Sequence, residues 1–426
     1  MKENTAKCRL ILLLIFAFLS SVGVADNLYW TGGINGDWST ADNWWNKTRN
    51  AVAGNYPNGK NDQYGHSAYF DQTLADDKSK ISRRTVLFSK AERMRGSVYV
   101  YDGTFADPIV FSADDEFGLS VTNKDAKFQI GKSGQMGWLK LQGGTYDMYW
   151  NLELINGGVV VDGAYIAVTN SFQIGNAGDV ETHYRQNGGS LVINNRLSLG
   201  MNSKSINVFE VLGGTLTMLG TPIRFSYNAQ FLLKGGVVSP TSIMIESASD
   251  NKNVFLFDGG ILKAQKGNNI MFSASDNLAL KVGANGGTFD TAGFTDIEFA
   301  DAFESAVDEG TDGGMKYIGG GSAKITGAIN YTGPTTVEIG TTITISDRAN
   351  IFGEGKGGLR CFLPDPKPEG STYVTILTTT GADSFTASDL GKCAPAVGSG
   401  AIAFRLSNNG KSIQARRNNG FVITFQ

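Results

Sequence analysis

Short stretches of alternating apolar and polar residues fill the middle of the chain, and a Gly-Gly pair follows each stretch. Before the pair at Gly213, Phe209 and Val211 are apolar, whereas Glu210 between them is charged. A period of two is typical of a β-strand with one face buried and the other in solvent. Glycine then permits a sharp bend with a positive φ angle. Six such pairs, named by their first glycine, begin at Gly143, Gly188, Gly213, Gly235, Gly259 and Gly286.

The spacing of these pairs predicts a solenoid. Successive pairs are 45, 25, 22, 24 and 27 residues apart, and the first interval is close to the sum of two of the others. A further pair, Gly157-Gly158, falls inside that long interval but out of phase. Phe128-Gln129-Ile130-Gly131 recurs as Phe172-Gln173-Ile174-Gly175 and marks another strand of the repeated unit. Three short strands in about 22–27 residues make one coil of a parallel β-helix.

We therefore predict an all-β chain folded as a right-handed, single-stranded parallel β-helix. One coil cannot bury its apolar face alone, but stacked coils pair along every strand and enclose a continuous core. A tandem of β-sandwiches is the alternative, although sandwich strands pair antiparallel and need no fixed repeat. We expect a cap and the first coils over residues 26–120, the repeats over 121–350, and a C-terminal β segment over 351–426.

The first 25 residues have the features of a secretory signal peptide. Lys2, Lys7 and Arg9 precede an unbroken apolar run over Leu10–Leu19, and small residues lead to Ala25. This pattern predicts export and cleavage after Ala25. The run is too short to favour a transmembrane helix, and no other segment is long enough. We expect a secreted or cell-surface protein with no integral membrane segment in the mature chain.

Composition narrows the classes of partner. Glycine supplies 55 of 426 residues, roughly twice its average share, whereas there are only nine prolines. Charged residues make up 18% of the chain, which is low against an average of roughly 25%. The formal net charge of −3 offers no basic surface for nucleic acid or anionic lipid. We expect no nucleic-acid partner.

Four of the six tryptophans lie close together near the start of the mature chain, at Trp30, Trp38, Trp44 and Trp45. If exposed, their indoles would form a platform on which sugar rings stack, and they are the candidate carbohydrate-binding residues. If buried, they would cover the open end of the coil stack, which otherwise exposes strand edges and core. The cap is the interpretation that the pattern favours.

Two cysteines remain beyond the predicted leader, Cys361 and Cys393. In an exported protein they are candidates for one disulfide, and two free thiols are the alternative. The C-terminal segment around them is predicted to contain strands at 373–378, 401–406 and 421–425. The acidic segment 294–316 lacks the spacing of known calcium loops, so we expect a solvated loop or short helix, with no metal or cofactor.

Catalytic motifs are missing from the sequence: no Walker loop, zinc spacing, dinucleotide fingerprint or nucleophile elbow is found. The densest group of titratable residues is Asp179, Glu181, His183 and Arg185. Carboxylates and a basic residue would serve a polysaccharide lyase or hydrolase, but a polar turn explains the group more simply. We therefore expect no catalytic residues, with such an enzyme as the alternative.

Two segments resemble autotransporter-type passenger proteins. Trp30-Thr31-Gly32-Gly33, with Gly36-Asp37-Trp38-Ser39 and Asn43-Trp44 after it, resembles the start of many passengers. Tyr331-Thr332-Gly333-Pro334-Thr335-Thr336-Val337, then Gly340-Thr341, resembles the autotransporter-associated β-strand repeat, with Thr342 in the usual leucine place. The resemblance implies an exported β-helical surface protein.

The resemblance has one departure. Residues 331–426 hold no series of ten-residue alternating strands, which the membrane barrel of an autotransporter would need. The resemblance therefore implies a relative without that barrel. Together, the residues and the resemblance predict a non-catalytic structural or adhesin-like surface protein, whose partners are extracellular polysaccharide or other surface proteins.

Overall fold

The computed structural model describes residues 26–47, 49, 51–57, 65–72, 81–247, 253–364 and 372–418. The predicted signal peptide over residues 1–25 and the predicted strand at 421–425 lie outside the described residues. Within these ranges, no helix has the length and apolar character needed to cross a bilayer.

The chain winds as a parallel β-helix, in which each coil adds one strand to each of three sheets in the order B, C, A. Sheet B contains Thr85–Phe88, Ile109–Ala113, Gly137–Gln142, Gly157–Asp162, Glu181–Gln186, Ile206–Val211, Ala229–Leu233, Asn253–Phe257, Leu278–Val282, Phe303–Ser305 and Ile329–Asn330. Sheet C contains Ala91–Met94, Gly118–Val121, Thr145–Met148, Tyr165–Val168, Ser190–Ile193, Thr215–Met218, Val237–Ser239, Ile261–Lys263, Gly287–Asp290, Met315–Ile318, Thr335–Glu338, Leu359–Phe362 and Cys393–Pro395. The coil strands of sheet A are Ser67–Phe70, Val98–Val100, Lys127–Ile130, Asn151–Leu154, Ser171–Ile174, Arg196–Leu199, Ile223–Phe225, Ile243–Ile245, Asn269–Phe272, Ile297–Phe299, Ser322–Ile325, Thr342–Ile345 and Val374–Thr379.

The strand register explains the irregular first interval of the glycine repeat. Leu139, Val159, Tyr184, Phe209 and Phe231 are register partners in successive coils, 20, 25, 25 and 22 residues apart. The interval of 45 residues therefore contains one short coil and one ordinary coil. In the short coil the Gly157-Gly158 pair begins a strand of sheet B instead of forming the bend after it, which is why it is out of phase.

Glycine is required at the bends because neighbouring coils approach closely there. Gly214 has a φ of 74°, and a Cβ atom at this position would lie 2.1 Å from the carbonyl oxygen of Gly189 in the preceding coil. An L-residue with a side chain would meet both a strained backbone and a steric clash. The Gly-Gly repeat in the sequence is therefore a consequence of coil stacking.

The inward-facing residues form aromatic and aliphatic columns along the axis. The rings of Phe209 and Phe231 are 4.9 Å apart with an interplanar angle of 12°, and those of Phe231 and Phe255 are 5.0 Å apart at 4°. All three side chains are fully buried. Lys234 points outward and forms an ion pair with Glu210 at 2.8 Å. The predicted alternation of inward and outward residues is confirmed.

The N-terminal end is closed by a small aromatic cap. Strand Asn27–Trp30 pairs antiparallel with Trp44–Asn46, which pairs with Ala51–Val52, and a 3-10 turn spans Ala41–Asn43. The indole rings of Trp30 and Trp44 lie 5.1 Å apart, and those of Trp38 and Trp44 lie 4.8 Å apart, both edge to face. The Trp38 ring also stacks on Phe88 at 5.2 Å, which joins the cap to sheet B.

The C-terminal end is closed differently in each sheet. Sheet A ends in an antiparallel hairpin, Ile402–Leu406 with Ser412–Arg417, which pairs with the last coil strand. Sheet B ends earlier, at Ile329–Asn330, next to the short helix Ala349–Phe352; a second helix spans Ala387–Leu390. Lys356 Nζ donates hydrogen bonds to the carbonyl oxygens of Ile329 and Tyr331, at 2.5 and 3.3 Å. This cation covers backbone acceptors that a further strand would otherwise take.

Of the two alternatives for Cys361 and Cys393, the structure has two free thiols and no disulfide between them. They lie on paired strands, but Cys361 is opposite Pro395 and Cys393 is opposite Leu359. A two-residue offset on neighbouring strands separates Cα atoms by roughly 8 Å. A disulfide requires a separation below about 7 Å. Burial raises the pKa of each thiol to about 12, which keeps both protonated.

Candidate functional site

A cavity of about 300 Å³ opens on the outward face of sheet B. Its walls are formed by Phe105, Trp138, His183, Arg185 and Glu210, together with Val208 and the backbone of Tyr184. These residues come from a loop and from three strands that belong to different coils. We call this cavity the sheet B groove.

The aromatic wall of the groove depends on a glycine. Trp138 is in register with Gly158, which is in register with His183 one coil further on. Because Gly158 has no side chain, the indole of Trp138 extends across it, and a Cβ atom there would lie 2.8 Å from the indole. The indole and the imidazole of His183 are therefore stacked, 5.9 Å apart at an interplanar angle of 25°.

Phe105 completes this wall from the loop between sheets A and B. Its ring lies 5.2 Å from that of Trp138, edge to face, and the side chain is 56% exposed. The loop is held in place by Arg84, whose guanidinium forms ion pairs with Asp102 at 3.1 Å and with Asp107 at 2.8 Å. These ion pairs join the two sides of the loop that contains Phe105, and they lie outside the groove.

The polar wall of the groove consists of charged side chains that lie within ion-pair distance of one another or of residues beside the groove. The Glu210 carboxylate lies 2.8 Å from Lys234 Nζ and 3.6 Å from Arg185 Nε. His183 Nε2 is 2.8 Å from a carboxylate oxygen of Glu181. Planar charged groups thus stand beside an aromatic surface, as in sites that bind a mostly apolar ring carrying hydroxyl groups.

The structure brings together only some of the four titratable residues that were noted in the sequence. His183 and Arg185 line the groove, and Glu181 contacts His183. Asp179 lies in the preceding turn with a φ of 57°, is exposed, and does not line the groove. Tyr184 points into the core, where burial raises the pKa of its hydroxyl far above the usual value and removes it from acid–base chemistry.

Of the two interpretations of the clustered tryptophans, the structure has the favoured cap and not the carbohydrate platform, because the four side chains are buried. Trp30, Trp38 and Trp44 are 0% exposed, and Trp45 is 8% exposed. The indole N–H groups of Trp38 and Trp44 donate to the carbonyl oxygens of Pro57 and Trp38, so even their polar edges are used within the cap. These four residues pack the end of the solenoid and offer no free ring face.

Two aromatic residues of the groove were missed in the sequence: Phe105, which is exposed, and Trp138, which is 7% exposed and packs between Phe105 and His183. Trp138 precedes Leu139 and Leu141, which face inward, so the alternation alone places Trp138 and Lys140 on the outer face. That signal was available in the sequence. The approach of Phe105 was not, because it depends on how the loop of one coil folds over the strand of the next.

The acidic segment 294–316 differs from the expected loop or helix. It contains the strands Ile297–Phe299, Phe303–Ser305 and the start of Met315–Ile318. Although burial alone would raise it, the pKa of Asp312 is lowered, because its carboxylate accepts hydrogen bonds from the backbone of Thr332 and Gly333. Among the residues described, no group of three or more His, Cys, Asp and Glu side chains is placed to hold a metal ion.

Comparison with family models, with curated proteins and with solved structures found no match for this chain. The resemblance to autotransporter-type passengers therefore remains a prediction that depends on the motifs in the sequence. The function has to be inferred from the groove and from the surface of the coils.

Proposed function

We propose that this protein is an exported, adhesin-like β-helix that binds carbohydrate at the sheet B groove without cleaving it. The observation that carries the proposal is the wall formed by Phe105, Trp138 and His183 beside the charges of Arg185 and Glu210. A sugar ring has an apolar face of C–H groups and an edge of hydroxyls. The aromatic wall suits the first, and the planar charged groups suit the second.

The same geometry argues against hydrolysis as the main activity. Glycosidases place two carboxyl groups on opposite sides of one glycosidic bond, one as acid and the other as base or nucleophile. Here Glu210 is held between two cations, and Glu181 is directed at His183. Both carboxylates are engaged by neighbouring side chains instead of facing each other across the cavity. A polysaccharide lyase or hydrolase is therefore the weaker candidate.

The adhesive part of the proposal draws on the continuity of the fold. Strands of successive coils pair in register over most of the described chain, so the outer faces form long, rigid surfaces. A solenoid of this kind presents a binding site at a fixed distance from its ends. Such an arrangement suits a protein that holds a ligand at a surface.

The test is a glycan array probed with the mature chain, residues 26–426, followed by product analysis on every glycan that binds. We expect binding without new reducing ends or unsaturated products. Phe105→Ala should weaken binding by about fivefold, the size of a lost aromatic contact. Phe294→Ala removes a ring that is 37% exposed outside the groove and is the matched control, which should bind like the wild type.

Two results would overturn the proposal. One is the absence of any bound glycan from an array that includes bacterial and plant polysaccharides. The other is equal binding by the Phe105→Ala and wild-type proteins. Released unsaturated or reducing-end products would instead establish the enzyme alternative.

A further inference from the structure

A second surface feature lies at the corner where each coil passes from sheet C to sheet A. In successive coils this corner begins one residue after Val121, Met148, Val168 and Ile193, which are register partners. The backbone N–H of that residue donates to the coil before it in the same way each time, as Thr122 does to Met94 and Tyr149 does to Val121. The corner is thus one structural position repeated along the axis.

Among these four coils, one departs from the residue types that the other three have at this position. The neighbouring corners contain Thr122-Asn123, Thr169-Asn170 and Asn194-Asn195, whereas this coil contains Tyr149-Trp150. The neighbouring coils turn the same corner with small polar residues, so the fold itself does not require two large aromatic side chains here. Burial does not explain them either, because Tyr149 is 50% exposed and Trp150 is 37% exposed.

These two rings are available to a ligand. Of the six tryptophans, the four in the cap are buried, Trp138 is 7% exposed within the groove, and Trp150 is the most exposed. The rings of Tyr149 and Trp150 make no contact with another aromatic ring among the described residues. It is unfavourable to leave an indole and a phenol partly exposed to water, and the packing of this corner does not offset that free energy.

A cavity of about 550 Å³ lies against Tyr149, and the charged side chains that line it have one sign. Its other lining residues are Arg95, Thr122, Asn123 and Lys124. Neither Arg95 nor Lys124 forms an ion pair within the described parts of the chain, and no carboxylate lines the cavity. The cavity therefore combines an aromatic edge with two cations that are free to pair with an incoming anion.

We propose that this corner is a binding site for an anionic saccharide, one whose ring carries a carboxylate or a sulfate. A sugar ring would stack on Tyr149, and Arg95 and Lys124 would pair with its acidic group. A nucleic acid also combines rings with anions, but binding to it releases counterions from many phosphates and needs several cations. This site has two, on a chain of net charge −3. The corner site is independent of the sheet B groove.

The experiment compares two probes that differ only in charge: an oligogalacturonate, and the neutral oligosaccharide obtained by reducing its carboxylates. A sulfated oligosaccharide of the same length is the second anionic probe, and a single-stranded oligonucleotide is the competitor. Binding to the mature chain is followed by calorimetry at low and moderate salt. Circular dichroism confirms that each variant is folded.

We expect an anionic saccharide to bind at least about tenfold more tightly than the neutral one, with affinity falling as salt rises. Tyr149→Ala, which removes the ring that lines the cavity, should weaken that binding by about fivefold, and Lys124→Gln by about threefold with a smaller salt dependence. Phe294→Ala, which removes a partly exposed ring that lines neither cavity, should leave it unchanged.

The proposal is overturned if neutral and anionic saccharides bind equally, if neither anionic probe binds, or if Tyr149→Ala and Lys124→Gln both bind like the wild type. Tighter binding of the oligonucleotide than of either saccharide would assign the corner to nucleic acid instead. Loss of anionic binding in Phe105→Ala would also contradict it, because the site would then be the groove.

Discussion

Replacing Phe231 with alanine tests the core of the solenoid at its most regular point. Phe231 is 0% exposed and lies between the rings of Phe209 and Phe255, at 4.9 and 5.0 Å. Truncation removes a buried ring and leaves a cavity between the two neighbouring coils. These coils cannot close it easily, because the hydrogen bonds between their strands fix the spacing of the coils. We expect the free energy of unfolding to fall by about 3–5 kcal/mol, as for buried aromatic residues generally.

Two controls lie close to Phe231, one in the same strand and one directly after its end. Leu232 is apolar but faces outward and is partly exposed, so Leu232→Ala should cost less than about 1 kcal/mol. Lys234 pairs with Glu210 at the surface, so Lys234→Ala should cost under about 0.5 kcal/mol. Chemical denaturation followed by circular dichroism gives the midpoint and slope for each variant. Because stacked repeats can unfold in parts, all slopes must agree before free energies are compared.

The interpretation would be refuted if Phe231→Ala and Leu232→Ala had equal effects, because inward and outward positions would then be indistinguishable. It would also fail if the three variants were all neutral. A large effect of Leu232→Ala alone would mean that the outer face of sheet B is covered by something other than solvent.

Three further predictions concern the C-terminal end of the solenoid and the acidic segment 294–316. Lys356→Met should lower the free energy of unfolding by about 1–3 kcal/mol, because it leaves two edge carbonyls without their charged donor; thermal denaturation measures this, and a neutral effect would contradict the capping role. Mass spectrometry of unreduced, denatured and alkylated protein should find both Cys361 and Cys393 modified, whereas a bridged pair would contradict the two-residue offset. Burial raises the pKa of Asp301 from 3.8 to about 6, and repulsion from neighbouring carboxylates contributes to the increase. The protonated Asp301 therefore contributes to the stability of the fold below about pH 4, and this contribution is lost as the pH rises through 6. Asp301→Asn should therefore flatten the decline of the melting temperature between pH 4 and 7, and an unchanged profile would refute the assignment.

The architecture could be predicted because coil stacking leaves a mark on nearly every unit of the sequence. The bend at Gly214 tolerates no side chain, and Phe209, Phe231 and Phe255 repeat at the spacing of their coils. The short coil was hard to recognise because its Gly-Gly pair, Gly157-Gly158, lies at the start of a strand and leaves room for the Trp138 indole. A glycine in this chain can allow a bend or leave space for a neighbouring side chain, and the sequence alone does not distinguish the two roles.

The site was less predictable because it depends on contacts between coils. The tryptophans clustered in the sequence suggested a carbohydrate site, but they form the cap and are buried, as Trp38 is. The exposed ring of Phe105 lies in a loop, and that of Trp150 lies at a corner next to Tyr149, so neither belongs to the alternation of a strand. The cysteines show the same limit, since the two-residue offset of Cys361 from Cys393 is a property of strand register that the sequence does not display.

The most direct test of the proposed function is a crystal structure of the mature chain with the best-bound glycan from the array. We predict that a sugar ring occupies the sheet B groove, against Phe105 and Trp138, with its hydroxyls on Arg185 and Glu210. Intact glycan should be present after prolonged soaking. A ring bound elsewhere with the groove empty, or a cleaved glycan in the groove, would contradict the account.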